Sequence, residues 1–144
     1  MIKLFLDANI LFAATASISG GSRALFDLAQ KKLISLVSSE YALHEAKINI
    51  EKKLGHEKLV DFYKLVSWLT DVYKKPLTKS ELSAFQEIIV AKDIPILAGA
   101  KKLEVDFLIT LDKKDFQNMK MKATKFPFQI LSPGDFLRAF PYNT

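Results

Sequence analysis

Four aspartates in this chain of 144 residues stand where an apolar segment begins or ends. Asp7 follows the candidate strand Ile2–Leu6, and Asp93 opens the stretch that carries Ile96, Leu97, Ala100 and Leu103 at helical spacing. Asp112 comes directly after the apolar run Phe107–Leu111, with Asp115 three residues later. Carboxylates gathered in one place repel, raise one another's pKa, and are costly unless a cation binds. Oxygen-only ligands of this kind suit Mg²⁺ or Mn²⁺. A divalent ion so held lowers the pKa of water to near neutral and makes it a nucleophile. No protein nucleophile is then required. The chain indeed has no cysteine, no P-loop, no GxGxxG and no Ser-His-Asp pattern.

For the aspartates to meet, the elements between them must run a particular way. Ile2–Leu6, Leu33–Val37, Phe107–Leu111 and Phe128–Leu131 read as short strands, and Lys74–Leu77 as a break or a further short strand. Helices are expected from Ser22, as cap, to about Lys32, from about Glu40 to Leu54, and from about His56 to Val72. Further helices start at Thr78 or Ser80, run past Asp93 with Pro95 in the first turn, and follow Ser132–Pro133. Gly55 suits a helix C-terminus. Strands alternating with helices imply βαβ units and a mainly parallel sheet covered on both faces. Ligands of such sheets bind outside the carboxyl ends of the strands. A right-handed crossover places Asp7, Asp93 and Asp112 along that one edge.

Composition sets the outer bounds. The length suits one domain, residues 1–144, with no repeat or linker composition. Apolar residues make up 49% and charged residues 26%, and no apolar run approaches the length of a membrane span. A cysteine-free chain whose N-terminus is too acidic for a signal peptide is expected in the cytoplasm. The formal charge of +5 leans toward a polyanionic partner. Lys113, Lys114, Lys120, Lys122 and Lys125 crowd the stretch after Asp112, where they suit either a phosphate backbone or a solvated loop. Arg23, Lys47, Lys74 and Lys75 are weaker candidates. His44 and His56 have no ligand spacing and are expected on helix surfaces.

Four motifs in one order resemble PIN-domain proteins, the metal-dependent ribonucleases that include the VapC-type toxins of toxin–antitoxin pairs. They are LFLDANIL, SSEYALHE with Glu45 six residues after Ser39, KDIPILAGA, and DFLITLDKKDF, spanning residues 4 to 116. The resemblance implies a three-layer α/β/α sandwich with a mainly parallel sheet. It implies an acidic quartet of Asp7, Glu45, Asp93 and Asp112, with Asp115 as a variable fifth, binding Mg²⁺ or Mn²⁺. It further implies RNA cleavage leaving a 5′-phosphate and 3′-hydroxyl, a homodimer, and for a toxin a cognate antitoxin. Leu111 departs from the pattern, since many relatives have glycine there.

Each residue also has a plainer reading. Asp7 and Asp93 suit helix N-caps, Asp112 and Asp115 a polar turn, and Glu45 a solvated helix face with Glu40 as competitor. Asn9 and Thr110 are supporting candidates that could orient Asp7 or a ligand carboxylate, or merely satisfy local backbone groups. Two other functions stay open. One is a PIN-like module that binds RNA or protein without catalysis. The other is a haloacid-dehalogenase-like phosphatase, disfavoured because that family wants Asp-x-Asp where this chain has Asp7-Ala8-Asn9.

Overall fold

β1 (Lys3–Leu6), β2 (Ser35–Ser39), β3 (Asp71–Tyr73), β4 (Phe107–Ile109) and β5 (Gln129–Leu131) form one sheet. Their order is β3-β2-β1-β4-β5, and every neighbouring pair is parallel. The computed structural model describes residues 1–89, 91–112, 114–116 and 125–141. Among the described residues the helices are α1 (Ala8–Ala16), α2 (Gly21–Gln30), α3 (Glu40–Lys53), α4 (Leu59–Val66), α5 (Lys79–Phe85), α6 (Ile94–Lys102) and α7 (Pro133–Ala139). Short 3₁₀ turns occupy His56–Lys58, Ala91–Asp93 and Lys114–Phe116. This is the expected α/β/α sandwich, with a sheet that is parallel throughout. None of the described helices is long and apolar enough to cross a membrane.

The core follows from the strand sequences. Leu4, Phe5, Leu6, Leu36, Val37, Leu108 and Ile109 are fully buried, as befits central strands covered on both faces. The edge strands β3 and β5 are more exposed. α1 packs against α2, α3 and α4, and α7 against α2, while α5 and α6 pack together. Successive right-handed crossovers put these two groups of helices on opposite faces.

Gly99 fixes how closely α6 can lie on the sheet. A Cβ placed there would meet the Phe5 ring at 3.1 and 3.2 Å, tighter than side chains normally pack. α6 carries Asp93 at its N-terminus, so this contact also sets where that carboxylate sits. Gly99→Val should therefore cost about 1–3 kcal/mol by overpacking, read as a lower midpoint in urea unfolding. An unchanged midpoint would mean that Phe5 yields freely.

Several boundaries differ from the sequence reading. The third strand is Asp71–Tyr73 rather than Lys74–Leu77. The helix expected over His56–Val72 stops at Val66, and a turn delivers the Thr70 N–H to the Leu36 carbonyl at 2.9 Å. Sheet pairing claims Val72 although its spacing is helical. β4 stops at Ile109, and Leu111 is 51% exposed, because its N–H turns away to the Asn9 side chain at 3.1 Å. Ser22 does not cap α2; it is buried inside the first turn, and Gly20 holds the cap position. Thr78, not Ser80, starts α5 through a reciprocal capping box with Glu81. Gly55 ends α3 as expected, with φ 96° and its N–H on the Ile50 carbonyl. His44 and His56 are exposed.

Candidate active site

The strand order reverses between β1 and β4, and a crevice is expected there at the carboxyl ends. A cleft of about 230 Å³ lies at this point, lined by Asp7, Glu45, Asp93 and Asp112 among others. Asp7 continues β1, its N–H still bonded to the Ile109 carbonyl of β4 at 3.0 Å. Asp112 arrives from β4, Asp93 from the N-terminus of α6, and Glu45 from the second turn of α3. Ser39 caps α3 through the Ala42 N–H, which starts the helix at the sheet edge and aims Glu45 inward. Glu40, the competitor, is exposed and lines a different hollow.

One hydroxyl organises the centre. Thr110, fully buried, donates from Oγ1 to Asp7 Oδ2 at 2.8 Å. The same oxygen accepts from the Asp112 N–H at 3.1 Å and from Asn9 Nδ2 at 3.2 Å. Asn9 also reaches Asp7 Oδ2 at 3.5 Å, and its Oδ1 accepts from the Leu111 N–H. Asn9 and Thr110 thus tie the ends of β1 and β4 together around Asp7. Asp7 does cap α1, accepting the Ala8 N–H at 2.7 Å, so capping and a site role coexist. Asp93 holds the cap position of α6, but its carboxylate makes no capping hydrogen bond.

The electrostatics reflect this gathering. Asp7 is 6% exposed and Asp93 8% exposed. Burial above all pushes the Asp7 carboxyl above its ordinary value. The Thr110 and Ala8 hydrogen bonds pull it back, and the charge of Asp112 pushes it up again. The Tyr41 phenol is raised by burial, then by the negative charges of Glu45, Asp93 and Asp7. One hydroxyl therefore feels three of the four acids. Lys92 Nζ lies 3.9 Å from Asp112 Oδ2, an exposed pair that contributes little to stability.

The donors are oxygens only, two of them on buried carboxylates, which fits a hard divalent cation. Among the described residues, no three acidic or histidine side chains stand close enough together to hold a metal ion as they are placed.

The remaining sequence candidates fall elsewhere. Lys114 is exposed and does not line the cleft. Lys113, Lys120 and Lys122 lie outside the described residues, as does the side chain of Asp115. Arg23 donates to the Ala14 carbonyl at 2.6 Å, closing the C-terminal turn of α1. Tyr41, Asn49 and Lys53 line the cleft without having been singled out from sequence. With Glu45 they recur every four residues along α3, one stripe of a helix. That period was the available signal.

No protein-family model and no curated protein sequence matches this chain. Solved structures do. A chain of VapBC2 from Rickettsia felis, solved bound to a DNA fragment from their promoter, superposes with a TM-score of 0.67 at 19% identity, covering 91% of this chain and 98% of its own. PAE2754 from Pyrobaculum aerophilum superposes with a TM-score of 0.60 at 16% identity, covering 96% of this chain and 88% of its own. At such identities the likeness speaks for architecture, and by it the chain has the PIN-like fold.

Proposed function

We propose that the protein is a metal-dependent ribonuclease that hydrolyses RNA phosphodiester bonds at the cleft of Asp7, Glu45, Asp93 and Asp112. The observation that carries this reading is the delivery of four acids, from four separate elements, to one cleft at the sheet's switch point. Asp7, Asp93 and Asp112 would hold Mg²⁺ or Mn²⁺, with Glu45 beside them. The bound ion supplies a water activated near neutral pH and charge stabilisation for the phosphate oxygens. Asn9 and Thr110 keep Asp7 oriented, and burial keeps its carboxylate dry and avid for a cation. Asn49 and Lys53, farther along the cleft, offer hydrogen bonds and positive charge to the RNA backbone.

The likeness to VapBC2 supports a toxin–antitoxin setting; in this reading a protein partner covers the cleft and the chain pairs with a second copy of itself. The test for catalysis is RNA cleavage in Mn²⁺, in Mg²⁺ and in EDTA. Glu45→Gln should lower Mn²⁺-dependent cleavage about 10- to 100-fold, while Glu51→Gln, on an exposed face of the same helix, leaves it unchanged. Equal activity in both variants removes Glu45 from the site.

The separation of the acids favours one second reading, a fold that binds RNA without cutting it. Calorimetric titration distinguishes the two: saturable Mn²⁺ binding supports the nuclease, and no heat with either ion supports the binding module. Hydrolysis of a generic aryl phosphate would point instead to a phosphatase.

A further inference from the structure

The acidic cleft occupies only half of the carboxyl edge, above β1 and β4. Above β2 and β3, on the same edge, lies a second hollow of about 580 Å³, within the size range of small-ligand sites. Its apolar floor is made by Leu77, Leu82 and Pro95, and its aromatic lining by Tyr41, Tyr73 and His44. Lys74 and Lys75 stand at the exposed rim, opposite in charge to a phosphate. Glu40, also at the rim, is an acceptor suited to the exocyclic amine of a base. Tyr41 lies between the two hollows, lining both, and its hydroxyl donates to the Lys92 carbonyl at 3.1 Å. Pro95 lies two residues beyond Asp93.

We propose that this hollow is a nucleobase subsite, receiving an unpaired base of single-stranded RNA whose neighbouring phosphate lies in the acidic cleft. This rests on the nuclease reading for its RNA substrate, but it makes a separate claim about binding. An aromatic-lined hollow with cations on its rim is the arrangement by which proteins take up unstacked bases. A base seated there leaves its sugar-phosphate at the lysine rim. The chain next to it can then continue past Tyr41 toward the acids.

The test measures binding in EDTA, where no cleavage occurs. A short single-stranded RNA carrying one 2-aminopurine is titrated with the full chain, following anisotropy of an end label and quenching of the 2-aminopurine. Tyr73→Ala should weaken binding about 5- to 100-fold and remove part of the quenching, while Tyr73→Phe preserves both. Lys74→Gln with Lys75→Gln should weaken binding and flatten its salt dependence without removing the quenching. Lys31→Gln with Lys32→Gln, exposed where α2 leads into β2 at the opposite edge, changes neither. Binding and quenching that survive Tyr73→Ala in a folded protein overturn the subsite and leave the hollow to a protein segment. Loss of quenching in a chain that never cuts RNA upholds the subsite while defeating the nuclease reading.

Discussion

Asp7→Asn should reduce Mn²⁺-dependent RNA cleavage by more than about 100-fold, beyond the loss usual for a residue one shell removed from a metal. The same substitution should make the metal-free protein more stable. Asp7 is buried beside Asp112, and burial raises its pKa in the folded state. The unfolded chain therefore gives up this proton at lower pH than the folded one. The stability of the neutral form is fully present below about pH 4, the ordinary carboxylate value, and is lost as pH rises through the folded value. Above the folded value the native state carries the whole penalty. An amide removes it and keeps the Ala8 hydrogen bond. Its Nδ2 takes the place of the acceptor that Thr110 and Asn9 used, so these two must find other partners and part of the gain is lost. Each kcal/mol so relieved raises Tm by about 2–4 °C for a chain near this size. Mn²⁺ should then raise the Tm of the parent by mass action and leave the variant unmoved. A variant that melts lower than the parent in EDTA, or that still responds to Mn²⁺, would refute this account of Asp7.

Thr110→Val is the second large effect expected. The change is nearly isosteric, so packing is spared while one oxygen is lost. That oxygen serves Asp7, Asn9 and the Asp112 N–H together. Leaving these groups short of partners should cost roughly 1–3 kcal/mol, seen in chemical unfolding, and about 10- to 100-fold in cleavage. A packing defect alone would not move the pH profile, and this substitution should. The Thr110 hydrogen bond lowers the pKa of Asp7, so its removal raises that pKa further. Activity that needs the carboxylate then fails at a higher pH, and the acidic limb of the rate profile shifts upward. Thr110→Ser, which restores the hydroxyl, should return both the limb and most of the rate. A pH profile unchanged in the valine variant would reduce Thr110 to a structural role.

The layered α/β/α fold was legible before any coordinates because it depends on local signals. Leu4–Leu6 and Phe107–Ile109 are apolar without alternation, which only a strand buried on both faces tolerates. Ser39, Thr78 and Ser132 mark helix starts through side-chain oxygens that accept backbone N–H groups. Where neighbouring signals competed, the reading slipped. Val72 has helical spacing from α4 but pairs with Ser38, because an open edge of β2 offers hydrogen bonds that a fourth turn of helix would forgo. Leu111 is apolar yet exposed, since the Oδ1 of the nearby Asn9 side chain draws its N–H out of the sheet.

The sequence by itself determined which carboxylates stand at the sheet's carboxyl edge, since strand ends and parallel crossovers follow from pattern and handedness. Only the tertiary structure decided what surrounds them. It is the packing of α3 and α6 across that edge that brings Glu45 rather than Glu40 into the cleft. The same packing makes Thr110 and Asn9 a clasp across 101 residues of chain, and opens the aromatic hollow beside the acids. Hydrogen bonds and cavities between distant segments depend on ångström-scale distances across the fold, and no periodicity along a chain encodes those.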